Sequence, residues 1–282
     1  MRYHVGGELV PADEASVSVS DRGFRYGDAG FETLRAYGGT VFRWDDHAER
    51  LTDTLDALGF DDRPDARDLR ERVRETLAAN DLDDAYVRVS VTRGAQSGKL
   101  SPGPADPTVV VVTKPLPRGG TAGEDVWDAP ATARVVETRR IPSEALPAHA
   151  KTHNYLNGVL ARLELDGEDE ALLCDTAGNL AEGATSNVFW VRDGVLHTPA
   201  LEDVLPGITR RVVRELAADL DIPLETGTYD QDALRDADEA FLTNTTWEVR
   251  PVQRVGDTAI GGGPVTDRLA AAFDRCVEAA HY

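Results

Sequence analysis

The chain has 282 residues, 41% of them hydrophobic, and a formal net charge of −20. That length holds one large domain or two modest ones with buried cores, and the apolar content excludes a disordered chain. An acidic field of this size disfavours nucleic acid and anionic membrane surfaces, which leaves small-molecule chemistry.

The 50 acidic side chains are spread along the sequence, and of the 30 basic ones only three are lysines, Lys99, Lys114 and Lys151. This is the surface expected of a protein adapted to high salt, with unfolding expected at low salt. Residues 1–10 carry charges and paired glycines where a signal peptide needs an apolar run, and no stretch has the length of a membrane span, so the cytoplasm is the expected compartment. Cys174 and Cys276 are too few and too far apart for a disulfide framework or metal knuckle, and read as small buried hydrophobes.

In chain order, Phe31–Tyr37, Gly38-Gly39 and Thr40–Arg43 form a hairpin pattern. His47, Leu51, Leu55 and Leu58 recur at helical spacing over 44–59, and 65–80 is a second charged amphipathic helix. In Ala85–Thr92 strict alternation places Val87, Val89 and Val91 on a core face and Tyr86, Arg88, Ser90 and Thr92 on a polar one. An apolar strand, 108–113, precedes a Pro- and Gly-rich stretch over 114–123 that reads as a linker. Beyond it, 154–165 reads as a helix with Leu156, Val159, Leu160 and Leu163 inward. A β-meander follows over 171–198, then a helix opened by Gly207 with Ile208, Val212, Leu216 and Leu220 on one stripe.

Three features carry chemistry. In a chain that solves its surface with arginine, a lysine is informative, and Lys151 sits among uncharged residues where partial burial would favour Schiff-base formation with a carbonyl. Glu182 lies among small residues in the meander, where a ligand could approach closely and a buried carboxylate would need a cationic partner. Leu205–Arg210 opens a helix whose free amides suit a phosphate. A Schiff-base lysine, a carboxylate about thirty residues on and a helix N-terminus about twenty-five further match what pyridoxal phosphate needs. The spacing of His149 and His153 suits two metal ligands on one helix face, but no third ligand stands nearby, and no metal is expected.

The motifs Ser20-Asp-Arg-Gly-Phe-Arg-Tyr-Gly-Asp-Ala-Gly-Phe-Glu-Thr-Leu-Arg35, His47-Ala-Glu-Arg-Leu51, Lys151-Thr-His-Asn-Tyr-Leu156 and Phe241-Leu-Thr-Asn-Thr-Thr-Trp-Glu-Val-Arg-Pro-Val252, with the segments around Glu182 and Gly207, follow one another in order. With them the chain resembles the class IV aminotransferases, the fold-type IV pyridoxal-phosphate enzymes. That resemblance implies an α+β fold with a small N-terminal α+β domain (1–113), the linker 114–123 and a larger barrel-like cofactor domain (124–282), assembled as a homodimer. It implies pyridoxal 5'-phosphate as cofactor, with Lys151 forming the internal aldimine and moving the proton, and Glu182 holding the pyridine nitrogen protonated. Arg50, Gly207, Ile208, Thr209 and Thr245 would receive the phosphate, and Tyr155 would stand near the phenolic oxygen.

Substrate residues follow from the same resemblance. Tyr86-Val-Arg88 resembles the Tyr-x-Arg strand of branched-chain aminotransferases, Thr245-Thr246 the loop whose amides receive the α-carboxylate, and Tyr26 and Phe31 pocket walls. Asn244 and Thr246 depart from the branched-chain pattern by adding bulk beside that carboxylate site. The expected reaction moves an amino group between an L-amino acid, branched-chain type favoured, and a 2-oxo acid such as 2-oxoglutarate. Aminodeoxychorismate lyase and a D-amino-acid or amine transaminase are the alternatives, although the Arg-x-His usual in D-specific enzymes is absent from Gly94–Lys99. A non-catalytic binder of the cofactor is opposed by Lys151 and Glu182 occurring together.

Overall fold

The computed structural model describes residues 1–118, 127 and 129–282. It divides into two compact units. The first holds the described residues before Trp127 together with Ala150–Asn154 and His281–Tyr282, and the second holds Trp127–His149 and Tyr155–Ala280. Among the described residues no helix is long and apolar enough to cross a membrane.

The first unit contains β1 (Arg2–Val5), β2 (Glu8–Pro11), the short α1 (Arg22–Tyr26), β3 (Ala29–Tyr37), β4 (Thr40–Val41), α2 (Trp44–Ala57), α3 (Ala66–Ala78), β5 (Ala85–Thr92) and β6 (Thr108–Pro115). The strands form a sheet in the order β2-β1-β6-β5-β3-β4, antiparallel throughout. The alternation in β5 does what its pattern demands: Val87, Val89 and Val91 are buried, and α2 and α3 cover them with Leu51, Leu55, Leu69, Val73 and Leu77. Asp65 caps α3 by accepting from the amides of Arg67 and Asp68, the arrangement that satisfies first-turn donors. Lys114 and Pro115, expected in the linker, still belong to β6, and positions 119–123 lie outside the described residues. The β1–β2 hairpin has no counterpart in the sequence reading.

The second unit contains β7 (Ala131–Val135), α4 (Leu156–Arg162), β8 (Glu170–Cys174), β9 (Leu180–Gly183), β10 (Asn187–Arg192), β11 (Val195–Pro199), α5 (Ile208–Asp219), β12 (Leu224–Gly227), β13 (Glu239–Asn244), β14 (Glu248–Val255), β15 (Thr258–Ala259) and α6 (Pro264–His281). Its mixed sheet runs β12-β11-β10-β13-β14-β7-β8-β9, with β15 on β14. The terminal strand β9 comes back against β10 and β11, so the sheet curls into a half-barrel. Leu172, Val188, Trp190, Leu242 and Val252 fill one side. On the other, the cross-strand partners Phe189 and Phe241 stack with ring centroids 5.0 Å apart.

One helix is turned the opposite way from its expectation. Leu156, Val159, Leu160 and Leu163 are 49–76% exposed, and α4 instead buries Ala161 in a cluster with Val136, Ala171 and Leu173. A methyl side chain lets the helix lie close to β8, and an apolar stripe read as inward by spacing is left on the outside. The helix is also shorter than 154–165.

Leu77 is 3% exposed within the first unit's core. Leu77→Ala is expected to cost about 2–5 kcal/mol of unfolding free energy in urea titration.

Candidate active site

In the first unit, the segment Ala150–Asn154 is spliced onto the edge of β3. The Phe31 amide donates to the Lys151 carbonyl at 2.9 Å, the His153 amide donates to the Ala29 carbonyl at 2.9 Å, and Gly30 and Thr152 form an antiparallel bridge. The Lys151 amide donates to Thr54 Oγ1 of α2 at 2.9 Å. Gly30 is required there, because a Cβ would come within 2.9 Å of Thr54 Cγ2. Residues 149–153 are thus not helical, and His149 and His153 do not share a helix face.

These bonds fix Lys151, whose half-buried side chain ends with Nζ 4.6 Å from the centre of the Phe31 ring. Arg88, on β5, lies over the same ring at 3.7 Å, and His153 meets it edge-on at 5.5 Å. Phe31, 4% exposed, therefore gathers an amine, a guanidinium and an imidazole around one ring, the two cations stabilised by the ring quadrupole. His153 Nε2 lies 3.1 Å from Ser90 Oγ. Burial, aided by the Arg88 charge, lowers the His153 pKa to about 4.

Arg50 projects from α2 into a buried ion pair. Its Nε donates to Glu32 Oε1 at 2.8 Å and its Nη2 to Glu32 Oε2 at 2.6 Å, while His47 Nδ1 sits 2.7 Å from Oε2. Burial alone would raise the Glu32 carboxyl, but the Arg50 charge and the hydrogen bonds from Arg50 and His47 outweigh it and bring it down to about 2. Burial lowers the His47 pKa, with the Arg50 and Lys151 charges acting in the same direction against Glu32. Tyr86 carries the Lys114 ammonium 4.7 Å over its ring. Tyr26, 39% exposed at the end of α1, is flanked by the guanidinium groups of Arg22 and Arg25.

In the second unit, Glu182 lies on β9 and is 7% exposed. Arg140 Nε donates to its Oε1 at 2.7 Å, and its Oε2 accepts from the Leu205 amide at 3.0 Å and from Asn187 Nδ2 at 3.3 Å. Asn187 Nδ2 also reaches the Leu205 carbonyl at 3.1 Å, tying the carboxylate to the loop that opens α5. Gly207 begins that helix, and any Cβ there would meet Asn187 Oδ1 at 2.0 Å. Glycine offers no side-chain cap, and the first turn holds no acidic residue, so the amides of the buried Ile208 and Thr209 present the positive helix end. The cross-strand partner of Asn187 is Thr243, whose Oγ1 is buried without a hydrogen-bond partner. Tyr155 stands at the entry to α4, 37% exposed. Thr245 and Thr246 occupy the turn between β13 and β14, whose register closes with Asn244 opposite Glu248.

Lys151, Phe31 and Arg88 are thus brought together in one unit, and Glu182, Gly207, Ile208 and Thr209 in the other. Sequence reasoning missed Arg140, Asn187, Glu32, His47 and His153 as participants. A buried Glu182 calls for a cationic partner that the sequence does not name, and Arg140 is that partner. Much of the Ser20–Asp28 motif is structural: Asp21 caps α1 and accepts from Thr92, and Asp28 pairs with both Arg22 and Arg93.

Residues 29–255 match the family model described as amino-transferase class IV. The chain is 38% identical to a putative branched-chain-amino-acid aminotransferase of Methanocaldococcus jannaschii, over 97% of this chain and 95% of that protein. It is similar to the branched-chain aminotransferase of Thermoproteus uzoniensis solved with norvaline, with a TM-score of 0.90 and 34% identity, covering 98% of this chain and 94% of that one. It also resembles 4-amino-4-deoxychorismate lyase from Pseudomonas aeruginosa, with a TM-score of 0.83 and 30% identity, covering 99% and 100%.

The depressed pKa of His153 has a consequence for stability. Its ordinary value is 6.5 and its folded value about 4, so the unfolded chain takes up the proton first as pH falls. This histidine therefore withdraws stability between about pH 6.5 and pH 4 and is neutral to it above. His153→Gln is expected to flatten the wild-type loss of thermal stability across that interval, read as melting temperature against pH.

Proposed function

The chain belongs to the class IV aminotransferases, and from that membership we propose that it moves an amino group between an L-amino acid of branched-chain type and a 2-oxo acid such as 2-oxoglutarate, in the cytoplasm, with pyridoxal 5'-phosphate bound. The observation that carries this reading is the Phe31 cluster, in which a fixed amine, Lys151, and a guanidinium, Arg88, suited to a substrate carboxylate, both lie against one aromatic ring. The donor set fits the cofactor. It offers a primary amine for an aldehyde, a buried carboxylate for a pyridine nitrogen, a guanidinium and an uncapped helix N-terminus for a phosphate, and an orphaned hydroxyl, Thr243 Oγ1, on the partner strand of Asn187.

Bound, pyridoxal phosphate supplies an aldehyde and a ring that accepts the electron pair left when the substrate α-proton departs. Around it, Lys151 Nζ takes that proton and returns it. Glu182, oriented by Arg140 and Asn187, holds the proton on the pyridine nitrogen. Arg50, Gly207, Ile208, Thr209 and Thr245 would hold the phosphate, and Tyr155 would meet the phenolic oxygen. Tyr26, Phe31 and Tyr86 border the substrate side chain, while Arg88 and the amides of the Thr245-Thr246 turn receive carboxylate. Between its departure from the donor and its transfer to the 2-oxo acid, the amino group would be held on the bound cofactor.

A lyase reading is kept by one observation, the similarity in fold to 4-amino-4-deoxychorismate lyase over the whole chain. We also propose a homodimer. The exposed leucine and valine stripe of α4 and, in the other unit, the exposed Val19, Phe24 and Leu100 are the apolar surfaces that a second copy would cover. Arg22 holds the Leu100 carbonyl at 2.8 Å, so that loop is fixed in place.

Lys151→Ala is expected to lower kcat with L-leucine and 2-oxoglutarate by about a thousandfold and to remove the visible absorption band that L-leucine bleaches in the wild type. Retained turnover would reject Lys151. A band that no amino acid bleaches, together with pyruvate and p-aminobenzoate formed from aminodeoxychorismate, would put the lyase in its place. Leu160→Asp is expected to shift the protein from dimer to monomer in light scattering, and a wild-type monomer with full turnover would refute the assembly.

A further inference from the structure

We propose that the Asn244 side chain is a built-in competitor for the substrate carboxylate, occupying the amides of the β13–β14 turn that the carboxylate must engage. The inference rests on the assignment of that turn as the carboxylate site. Its own basis is the hydrogen bonding of a single atom. Asn244 Oδ1 accepts from the Thr246 amide at 3.0 Å, from the Trp247 amide at 2.7 Å and from Thr246 Oγ1 at 3.0 Å. Its Nδ2 donates to the Thr185 carbonyl at 3.3 Å, which anchors the side chain in that position.

Three donors converging on one oxygen make a concavity that favours an anionic oxygen over a neutral one. Asn244 fills it with an amide oxygen. A carboxylate entering the turn gains charge-assisted bonds, but first displaces three neutral bonds and the Thr185 anchor. The net penalty is the difference between these sets, of the size of a single hydrogen bond in water. Asn244 thereby sets the affinity for the substrate carboxylate without taking part in proton transfer, which makes it a specificity-determining residue. An asparagine at the start of a tight turn also stabilises the turn itself, and the experiment has to separate the two roles.

Asn244→Ala removes the competing oxygen, and Asn244→Asp keeps the turn-capping oxygen while adding a charge. A purely structural role leaves Asp close to wild type and makes Ala neutral or worse. Competition makes Ala bind carboxylate more tightly and Asp more weakly. The probes are 4-methylvalerate, an unreactive carboxylate, titrated by calorimetry into the holoenzyme, and L-leucine in steady-state turnover with 2-oxoglutarate. Melting temperatures and visible spectra establish that each variant is folded and holds cofactor.

The expected result is a dissociation constant for 4-methylvalerate and a KM for L-leucine about tenfold lower in Asn244→Ala, with kcat changed less than twofold, and both at least about tenfold higher in Asn244→Asp. If Asp weakens binding but Ala does not tighten it, the competition is overturned while the carboxylate assignment of the turn stands. If neither variant alters affinity for 4-methylvalerate, the turn is not the carboxylate site and both readings fall. Should the Ala variant not fold, Asn244→Ser, which withdraws the oxygen from the Trp247 amide with a shorter side chain, carries the same comparison, and unchanged binding there overturns the proposal.

Discussion

The candidate site depends on two main-chain hydrogen bonds. They join Phe31 to Lys151 and His153 to Ala29, and they place a residue far along the sequence against the edge of β3. A lysine side chain has several rotatable bonds, and its amine is only as well placed as its backbone. Here the backbone is held on both sides of the residue, and its own amide is held by Thr54 from α2. The missing side chain of Gly30 is what allows α2 to approach this closely. The result is an amine held against Phe31 by the same sheet that carries Arg88.

The second constraint is the cost of burying charge. Glu32 and Glu182 are both almost fully buried, and a lone carboxylate in either place would be strongly destabilising. Each has an arginine at hydrogen-bonding distance and further N–H donors on the remaining lone pairs. Buried pairs of this kind add little net stability over apolar replacements. Their value lies in orientation, because the fork onto Glu32 fixes the plane of the Arg50 guanidinium. The same logic ties Glu182 through Asn187 to the entry of α5, so the carboxylate and the anion-attracting helix end are parts of one hydrogen-bonded assembly.

How much of this was legible in the sequence depended on how local the cause was. The β5 alternation and the stripe of α2 follow from the period of one element, and both elements lie where the pattern puts them. The Lys151, Glu182 and Gly207 triad was singled out because the chemistry of one ligand calls for a lysine, a carboxylate and a helix start, and in the structure Glu182 is buried and Gly207 opens a helix. The orientation of α4 was not, since spacing identifies an apolar stripe without saying what covers it, and Ala161 won the inner face by being small. The strand-like pairing of Ala150–Asn154 was also hidden, because its partner, β3, is more than a hundred residues away. Arg140 and His153 were invisible for the same reason: their roles arise from tertiary neighbours.

The division between legible class and less legible substrate has a physical origin in the motifs themselves. Asp21, Arg22, Asp28 and Arg93 spend their side chains on capping α1, bracing one another and fastening the loop at Lys99 and Leu100. Arg93 has its guanidinium nitrogens on Asp28, Gly59 and Leu58. Residues committed in this way build the scaffold and serve any chemistry performed on it, which is why the chain is similar both to branched-chain aminotransferases and to a lyase. What separates such activities has to lie in positions free to vary without unmaking the fold. The β13–β14 turn is such a place, since the Asn244 side chain bonds within the turn and to the Thr185 carbonyl. A change there alters what the turn amides can receive while β13 and β14 keep their register.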